Sequence, residues 1–316
     1  MSTNEERRDA ARRKLEERLE REKQAAKKRR LSMIAAAGVV VVAIAAVGGY
    51  FWWRSWDNDR HTTCDYADAP ADFAGEIKKL QDMMPQIPQE QKAGAEDFLT
   101  MLREGAAKQR TSPKPESRTL NTGTAELTLA TNKGDVAVDL DRSHGACNVN
   151  AIMSLADNGY YDKTSCFRLA QSPTLSGLQC GDPTRTGIGT PGWHSPDEAP
   201  DHLEMTPPDP QMAQMGMSQS QITYPRGTVA IINSNNPQSQ DPAEQTNTGS
   251  ANFIVFTKDS TISTPLSVVG KVSPEGIKVI DEIAKEGTVI GANSTKENGV
   301  PKANLEITKA SASDSE

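Results

Sequence analysis

The sequence lacks three features that would assign it to common classes of protein. Its four cysteines include no CxxC pair, which excludes a zinc ribbon and a thioredoxin-type redox motif. Residues 1–30 hold 12 of the 35 Lys and Arg against 7 Asp and Glu, so the rest of the chain carries a net charge of −12. Nothing basic enough to indicate a nucleic-acid partner remains beyond residue 60.

A sustained heptad pattern is also missing from the charged N-terminus. Residues 1–30 favour helix by propensity, but Leu15 and Leu19 are their only sizeable apolar residues. A coiled coil needs apolar positions over three or more heptads. The segment is therefore predicted to be a solvated cytoplasmic helix that lies near anionic lipid.

One long apolar run stands out in this otherwise polar chain. Residues 31–53 contain no charged side chain and are long enough to cross about 30 Å of hydrocarbon as a helix. The basic residues 27–30 precede the run and the aromatic residues 50–56 end it, which predicts a cytoplasmic N-terminus. A cleaved signal peptide is the alternative, but its apolar region is shorter and ends in small residues. The sequence thus predicts a single-pass protein of the cell membrane, with lipid as a partner and its C-terminal domain outside the cytoplasm.

All four cysteines follow the apolar run and are expected in an oxidising compartment. They are Cys64, Cys147, Cys166 and Cys180. Four cysteines permit three pairings, and the sequence does not choose among them. One disulfide is expected, a second stays open, and catalytic thiol chemistry is not expected.

The remainder of the chain divides by composition. Residues 54–110 contain two helix-like pieces around a proline-bearing stretch and are predicted to form an extracytoplasmic stalk. Residues 111–121 are predicted to be a linker, residues 122–310 a domain of short strands with two modest helices, and residues 311–316 a disordered tail. The predicted fold is mainly β: a closed antiparallel β-barrel capped by two helices, preceded by a single transmembrane helix and the helical stalk.

The strand-rich part resembles a known family. The segments that carry the likeness are "TNKGDVAVDLD", "CNVNAIMSLADNGYYDKTSCFRL", "LQCGDPTRTGIGTPG", "YPRGTVAIIN", "NTGSANFIVF" and "LSVVGKVSPEGIKVIDEI". They occur in the order and approximate spacing of the cyclophilin-type peptidyl-prolyl cis-trans isomerases. The chain is most similar to membrane-anchored members from actinobacteria. The likeness covers about residues 122–310.

The resemblance implies a catalytic pair. Arg168 falls at the family's catalytic arginine, and Gln179 falls at the glutamine of its Gln-x-Gly-Asp motif. The family's chemistry needs no nucleophile, metal ion or cofactor. It implies proline-containing exported polypeptides as partners, with neither nucleic acid nor a small-molecule cofactor involved.

The resemblance also implies a substrate pocket, with several departures. Phe253 matches the phenylalanine of the proline pocket, and Asn233 matches an asparagine whose backbone holds the peptide. The remaining implied substrate-binding residues are Leu178, Leu266 and Ile232. The family's other pocket residues are replaced by Ser176, Gly177, Phe167, Ala251 and Thr261, while Leu266 stands for a histidine and Ile232 for an alanine. These changes keep a second function open: a weak or inactive cyclophilin-like module that binds proline peptides or acts as a chaperone.

Two further segments carry residue types that can bind metal ions. "HSPDEAPDH", residues 194–202, contains histidines and carboxylates, although its prolines favour an acidic loop. The methionines Met205, Met212, Met215 and Met217 could bind Cu(I) or form an adaptable apolar surface. A surface insertion is the simpler interpretation of both segments.

Overall fold

The structure is a computed structural model that describes residues 4–208, 211, 219–291 and 294–315. Within these ranges the side chains of residues 5–7, 37, 39–41 and 43 are not described. The chain separates into two compact units, Met1–Asp59 and Arg60–Glu316.

The first unit is a single helix. Helix α1, Asn4–Asp59, runs through both the charged N-terminus and the predicted membrane segment. Judged on the side chains that the structure describes, none of the helices is long and apolar enough to cross a bilayer. Part of the predicted membrane segment, the side chains of residues 37, 39–41 and 43, lies outside the described residues.

The second unit contains the other helices and the strands that the structure describes. The helices are α2 Phe73–Met83, α3 Gln89–Ala106, α4 Arg142–Asp157, α5 Pro242–Gln245 and α6 Gly276–Glu286. The strands are β1 His61–Thr63, β2 Ala67–Ala69, β3 Arg118–Leu120, β4 Thr124–Thr131, β5 Val136–Asp141, β6 Thr164–Ser165, β7 Arg168–Gln171, β8 Ser176–Cys180, β9 Gly192–His194, β10 Met205–Thr206, β11 Gln221–Tyr224, β12 Thr228–Ile231, β13 Phe253–Phe256, β14 Ser260–Ile262, β15 Ser267–Val272, β16 Asn298–Gly299 and β17 Glu306–Asp314.

Among the described residues, ten strands form the main sheet, which is curled but not closed. Its order is β16-β7-β8-β13-β12-β15-β5-β4-β17-β6, and every neighbouring pair is antiparallel. The prediction of a closed barrel is wrong for the described residues, because β16 and β6, the strands at the two ends of this order, do not pair with each other. The segment between β6 and β7 bonds to both sides: Cys166 N donates to Leu305 O, and Phe167 N donates to Gln179 O.

Strands β4 and β5 form a hairpin around Asn132–Gly134. Strands β4 and β5 pair antiparallel, and Gly134 takes a φ of 119° in the turn, a conformation that favours glycine. On β5 the buried side chains alternate with less buried ones, as expected for a strand with one face on the core.

The C-terminal strand is longer than predicted. β17 pairs with β4 as far as Asp314, which lies opposite Ala125. Asp314 also accepts a hydrogen bond from the buried guanidinium of Arg142. Residues 311–314 are therefore ordered in the sheet, and the prediction of a disordered tail is wrong for them. Their alternating Ala and Ser side chains gave no apolar signal for a strand.

The sheet separates two apolar clusters. The inner cluster contains the buried faces of the two predicted cap helices, including Ile152 and Leu155 of α4 and Ile280 and Ile283 of α6. The outer cluster consists of Ile222, Tyr224, Ala230, Ile254, Phe256, Leu266 and Val268. Each fully buried aliphatic side chain contributes about 1.5–3 kcal/mol, so both clusters stabilise the curled sheet.

Residues 60–121 pack onto the strand-rich part. A disulfide joins Cys64 to Cys147, and the Tyr66 hydroxyl donates to Cys147 O at 2.8 Å. The buried indole of Trp193 donates to Ser112 O at 3.0 Å. The predicted stalk beyond Asp59 and the predicted linker thus belong to the same compact unit as the sheet.

Two histidines stack at the start of α4. The ring centroids of His144 and His202 are 3.7 Å apart, with 19° between the ring planes. Burial lowers the pKa of His202, and the charge of His144 lowers it further, whereas Asp201 and Asp141 raise it. Protonation of both rings would bring two positive charges into contact.

We expect the protein to lose stability in mild acid. A histidine with a lowered folded-state pKa binds fewer protons when folded than when unfolded, at pH values between the two pKa values. The free energy of unfolding should therefore be constant well above pH 6.5 and fall as the pH decreases below about 6.5. Urea unfolding at a series of pH values measures this fall. In the His202→Gln variant, the free energy of unfolding should decrease less as the pH falls. A parent free energy of unfolding that does not change with pH would contradict the expectation.

Candidate active site

Arg168 and Gln179 lie side by side on the outer face of the sheet. They are paired residues on the antiparallel strands β7 and β8, and Gln179 in turn pairs with Ile254 on β13. Paired residues share a face of a sheet. Ile254 belongs to the outer apolar cluster, so all three side chains lie on that face. The next pair, Leu169 and Leu178, is fully buried on the inner face and fixes this orientation.

The guanidinium of Arg168 is held by a residue that the sequence analysis missed. Arg168 Nε donates to Asn298 Oδ1 at 2.7 Å. Asn298 lies on β16, which pairs with β7, so the contact joins two neighbouring strands 130 residues apart in the chain. Burial lowers the pKa of Arg168, but a guanidinium remains charged in proteins. Arg168 is therefore a partly desolvated, oriented donor.

Two predicted substrate-binding residues lie on the opposite face. Phe253 is fully buried, pairs with Cys180 and makes an edge-to-face contact with the ring of Tyr161 at 5.7 Å between centroids. Leu178 is fully buried in the same inner cluster. Strand alternation accounts for both positions, since Phe253 and Leu178 are each one residue away from an outward-facing neighbour. The structure does not bring their side chains to the face of Arg168.

The other predicted substrate-binding residues lie on or beside the outer cluster. Leu266 belongs to it, and the half-buried Ile232 packs against it. The backbone N–H of Leu266 donates to the Tyr224 hydroxyl at 2.7 Å. Asn233 donates through Nδ2 to Pro265 O at 2.8 Å. Among the described residues its buried Oδ1 has no hydrogen-bond partner.

Ile254 explains why position 177 is a glycine, one of the departures from the family pattern. It was not predicted as a site residue, although its alternation with Phe253 was a usable signal. A Cβ atom on Gly177 would lie 2.7 Å from Ile254 Cδ1, so Ile254 fills the space that a larger side chain at position 177 would take. Ile254 is itself 1% exposed and packs within the outer cluster beside Gln179.

The loop after β8 is rigid and lies beside Arg168. Asp182 is fully buried, and its carboxylate accepts hydrogen bonds from the backbone N–H groups of Thr184, Thr186 and Gly187. A buried carboxylate with this many donors fixes the loop conformation. The loop thereby forms one wall of a cavity next to Arg168.

That cavity has a volume of about 460 Å³. Its lining residues come from α3 and the residues just after it, from the start of β7, from the loop after β8 and from the segment that includes β16. They are Asp97, Phe98, Met101, Glu104, Lys108, Phe167, Arg168, Thr184, Arg185, Thr186, Gly291, Ser294, Asn298, Gly299 and Val300. We call this cavity the α3 cleft.

The two segments with metal-binding residue types have different outcomes. In residues 194–202, the Glu198 carboxylate accepts the backbone N–H groups of Cys147 and Asn148 and so stabilises α4. Within the described ranges, no group of three or more His, Cys, Asp or Glu residues could hold a metal ion. Met205 is exposed on β10, whereas the predictions for Met212, Met215 and Met217 lie outside the described residues.

Comparisons with known proteins show which proteins the chain is similar to. The family model "Cyclophilin type peptidyl-prolyl cis-trans isomerase/CLD" matches residues 126–312. The chain is 32% identical over 182 residues to "Probable peptidyl-prolyl cis-trans isomerase B" of Mycobacterium tuberculosis, which covers 58% of this chain and 52% of the relative. It is also 32% identical over 188 residues to the protein of the same name from Mycobacterium leprae, which covers 60% and 58%.

Two solved structures of a Cryptosporidium parvum cyclophilin type peptidyl-prolyl cis-trans isomerase are also similar. One has 18% sequence identity and a TM-score of 0.41, and covers 61% of this chain and 99% of that chain. The other, obtained in the presence of the dipeptide Ala-Pro, has 19% identity and a TM-score of 0.40, and covers 60% and 99%.

Since the family model matches more than half of the sequence, the chain belongs to the cyclophilin-type peptidyl-prolyl cis-trans isomerase family. The resemblance seen in the sequence is confirmed. The matched region contains Arg168, Gln179 and Asn298 but excludes α2 and α3. The chain spans about half the length of the curated relatives that it matches.

Proposed function

We propose that the chain is a peptidyl-prolyl cis-trans isomerase in which Arg168 stabilises the twisted amide. The observation that carries this proposal is the oriented guanidinium of Arg168, held by Asn298 beside Gln179 on the outer face. Rotation of a peptide bond has a barrier of about 18–20 kcal/mol because of amide resonance. As the bond twists, the prolyl nitrogen regains its lone pair and becomes a better acceptor. A fixed cationic donor then interacts more strongly with the transition state than with either ground state.

The substrate is proposed to be a proline-containing segment of an exported polypeptide. Gln179 binds its backbone, and the proline ring lies beside the outer cluster, against the half-buried Ile232. The apolar character of the outer cluster supports this assignment.

We further propose that the chain is anchored in the cell membrane by residues 31–53, with Arg60–Glu316 outside the cytoplasm. Two observations support this location. The apolar run follows a basic cluster, as in proteins with a cytoplasmic N-terminus. All four cysteines are disulfide-bonded, in the pairs Cys64–Cys147 and Cys166–Cys180, and disulfides persist in oxidising compartments.

Membrane extraction tests the proposed location. The full chain should stay in the membrane fraction at high pH and high salt, and externally added protease should remove its C-terminal part from intact cells. A matched variant with lysine at Val42 and Ile44 should move to the soluble fraction. A parent chain that is extracted as easily as this variant would refute the anchor.

Turnover tests the proposed activity. The full chain should accelerate cis-trans exchange in a short Ala-Pro peptide, measured by NMR exchange spectroscopy. If peptide resonances shift on addition of the chain but exchange does not accelerate, the isomerase assignment is wrong. Binding without turnover is the second candidate function.

The orientation of Phe253 favours that second candidate. Its ring lies in the inner core, so the outer face lacks this aromatic wall. Loss of such a wall removes about 1.5–3 kcal/mol of apolar contact, which lowers efficiency by about one to two powers of ten. We favour the isomerase because the electrostatic element, Arg168 with its partner Asn298, is intact.

A further inference from the structure

The α3 cleft lies against Arg168 but is partly built by a helix outside the matched family region. Helix α3 ends at Ala106, whereas the match begins at residue 126. Arg168, Asn298 and Gly299 line the cleft together with side chains of α3. The cleft is thus adjacent to the candidate catalytic residue and has a wall that the matched domain does not supply.

Helix α3 is fixed in this position by close packing. A Cβ atom on Gly105 would lie 2.5 Å from Thr186 Cγ2 and 3.1 Å from Thr184 O, so the helix backbone contacts the rigid loop after β8 directly. Leu102, one turn earlier, is 1% exposed. Just beyond the helix, Gln109 Nε2 donates to Thr190 O at 2.6 Å. The cleft is therefore preformed.

Four large apolar side chains line the cleft among its polar and charged residues. Phe98 is 36% exposed and Val300 is 38% exposed, and both face the same cavity from opposite elements. The half-buried Met101 and the buried Phe167 extend this surface. A single exposed apolar residue needs no explanation, but a set that converges on a peptide-binding site indicates a ligand surface.

The charged residues of the cleft include both signs, so they do not favour ligands of one charge. Asp97 and Glu104 contribute negative charge, while Lys108 and Arg185 contribute positive charge beside Arg168. A strongly acidic or basic peptide would meet a like charge as well as an opposite one. The apolar walls are therefore the feature that can discriminate between ligands.

We propose that the α3 cleft is a second peptide subsite, which binds an apolar side chain of the substrate flanking the Xaa–Pro pair. This proposal rests on the proposed function. In the sheet order, the proposed position of the proline ring, beside β13 and β12, lies on one side of Arg168, and β16 with the cleft lies on the other. From β13 to β16 there are three strand spacings, about 14 Å. An extended peptide covers that distance in about four residues.

The test compares peptides that differ only at the subsite position. Peptides of nine residues carry either Leu or Ser four residues before the proline, and a second series carries them four residues after it. The parent chain should isomerise the Leu peptide of one series with a kcat/KM about ten-fold above that of the Ser peptide, because the Leu side chain is buried in the cleft. Affinities for the same peptides are measured by NMR titration.

Variants that shorten the apolar side chains of the cleft, either on α3 or at Val300, should remove the preference for Leu over Ser. One variant combines Phe98→Ala with Met101→Ala, and another carries Val300→Ser alone. In both, the ratio of kcat/KM for the Leu peptide to kcat/KM for the Ser peptide should fall to about one to two. The matched control is Arg103→Ala, an exposed α3 residue that does not line the cleft, and it should keep the parent ratio. Circular dichroism checks that each variant is folded.

The outcomes separate this proposal from the proposed function. If a short Ala-Pro peptide is isomerised but the parent does not distinguish Leu from Ser in either series, the subsite is refuted and the activity stands. If no peptide is isomerised, the proposed activity is refuted. The subsite is then tested by comparing the affinities of the Leu and Ser peptides. Equal affinities for the Leu and Ser peptides would overturn the proposed subsite. A preference for Leu that persists in the Phe98/Met101 and Val300 variants would overturn it as well.

Discussion

Replacing Arg168 with alanine is expected to lower kcat/KM for prolyl isomerisation by a factor of about 10²–10³, the usual effect of removing one preorganised donor to a transition state. The guanidinium is half-buried, and Asn298 fixes its direction, so no other described group can take its place without moving. The loss should occur mainly in kcat, because the donor acts on the twisted amide rather than on either planar isomer. NMR exchange of Xaa–Pro peptides over a range of concentrations separates kcat from KM.

Two variants make this expectation specific to the geometry. Arg168→Lys keeps the positive charge but removes the planar donor and the Nε contact with Asn298, so it should also lose most of the activity. Arg103→Ala removes an exposed arginine of α3 that does not line the α3 cleft, and it should leave the rate unchanged. Since Arg168 is only half-buried, both Arg168 variants should keep the parent thermal midpoint. Full activity in Arg168→Ala would exclude electrostatic stabilisation by this residue.

The family resemblance implied Arg168 and Gln179 as a pair, and local strand chemistry brings their side chains together in the structure. Arg168 and Gln179 lie on adjacent strands, each next to a leucine that faces the inner core. Alternating burial then turns both polar side chains outward, and the short connection between the strands brings them together. The hairpin at Gly134 was predictable for the same reason, since its turn signal and flanking alternation are local.

Features that depend on strand register or on distant parts of the chain were not predictable. Phe253 matches a pocket residue by position in the sequence, but its pairing with Cys180 turns it into the inner core. A shift of one residue in register moves every side chain of a strand to the other face, and no local pattern in an all-apolar strand specifies the choice. The Asn298 contact and the α3 cleft join segments far apart in sequence, and only the folded chain brings them together.

The two disulfides are expected to differ in their contribution to stability. Cys64–Cys147 spans a sequence separation of 83, whereas Cys166–Cys180 spans 14. In the chain-entropy description, a crosslink stabilises by restricting the unfolded chain, and the effect grows with the logarithm of loop length. Replacing both cysteines of the long loop by serine should therefore lower the free energy of unfolding by about 4.5 kcal/mol, and the same change in the short loop by about 3 kcal/mol.

Urea unfolding of the two double-serine variants, each compared with the oxidised parent, measures this difference. The double variants leave no unpaired thiol, so disulfide exchange cannot complicate the comparison. For the long loop, the thermal midpoint should fall by about 10 °C, as expected for a domain of this size. Reducing agent should destabilise each variant only through the disulfide that the variant retains. A larger loss from the short loop would contradict the entropic account and would show that contacts in the folded state, such as the Tyr66 hydroxyl on Cys147 O or the β7–β8 pairing, determine the order.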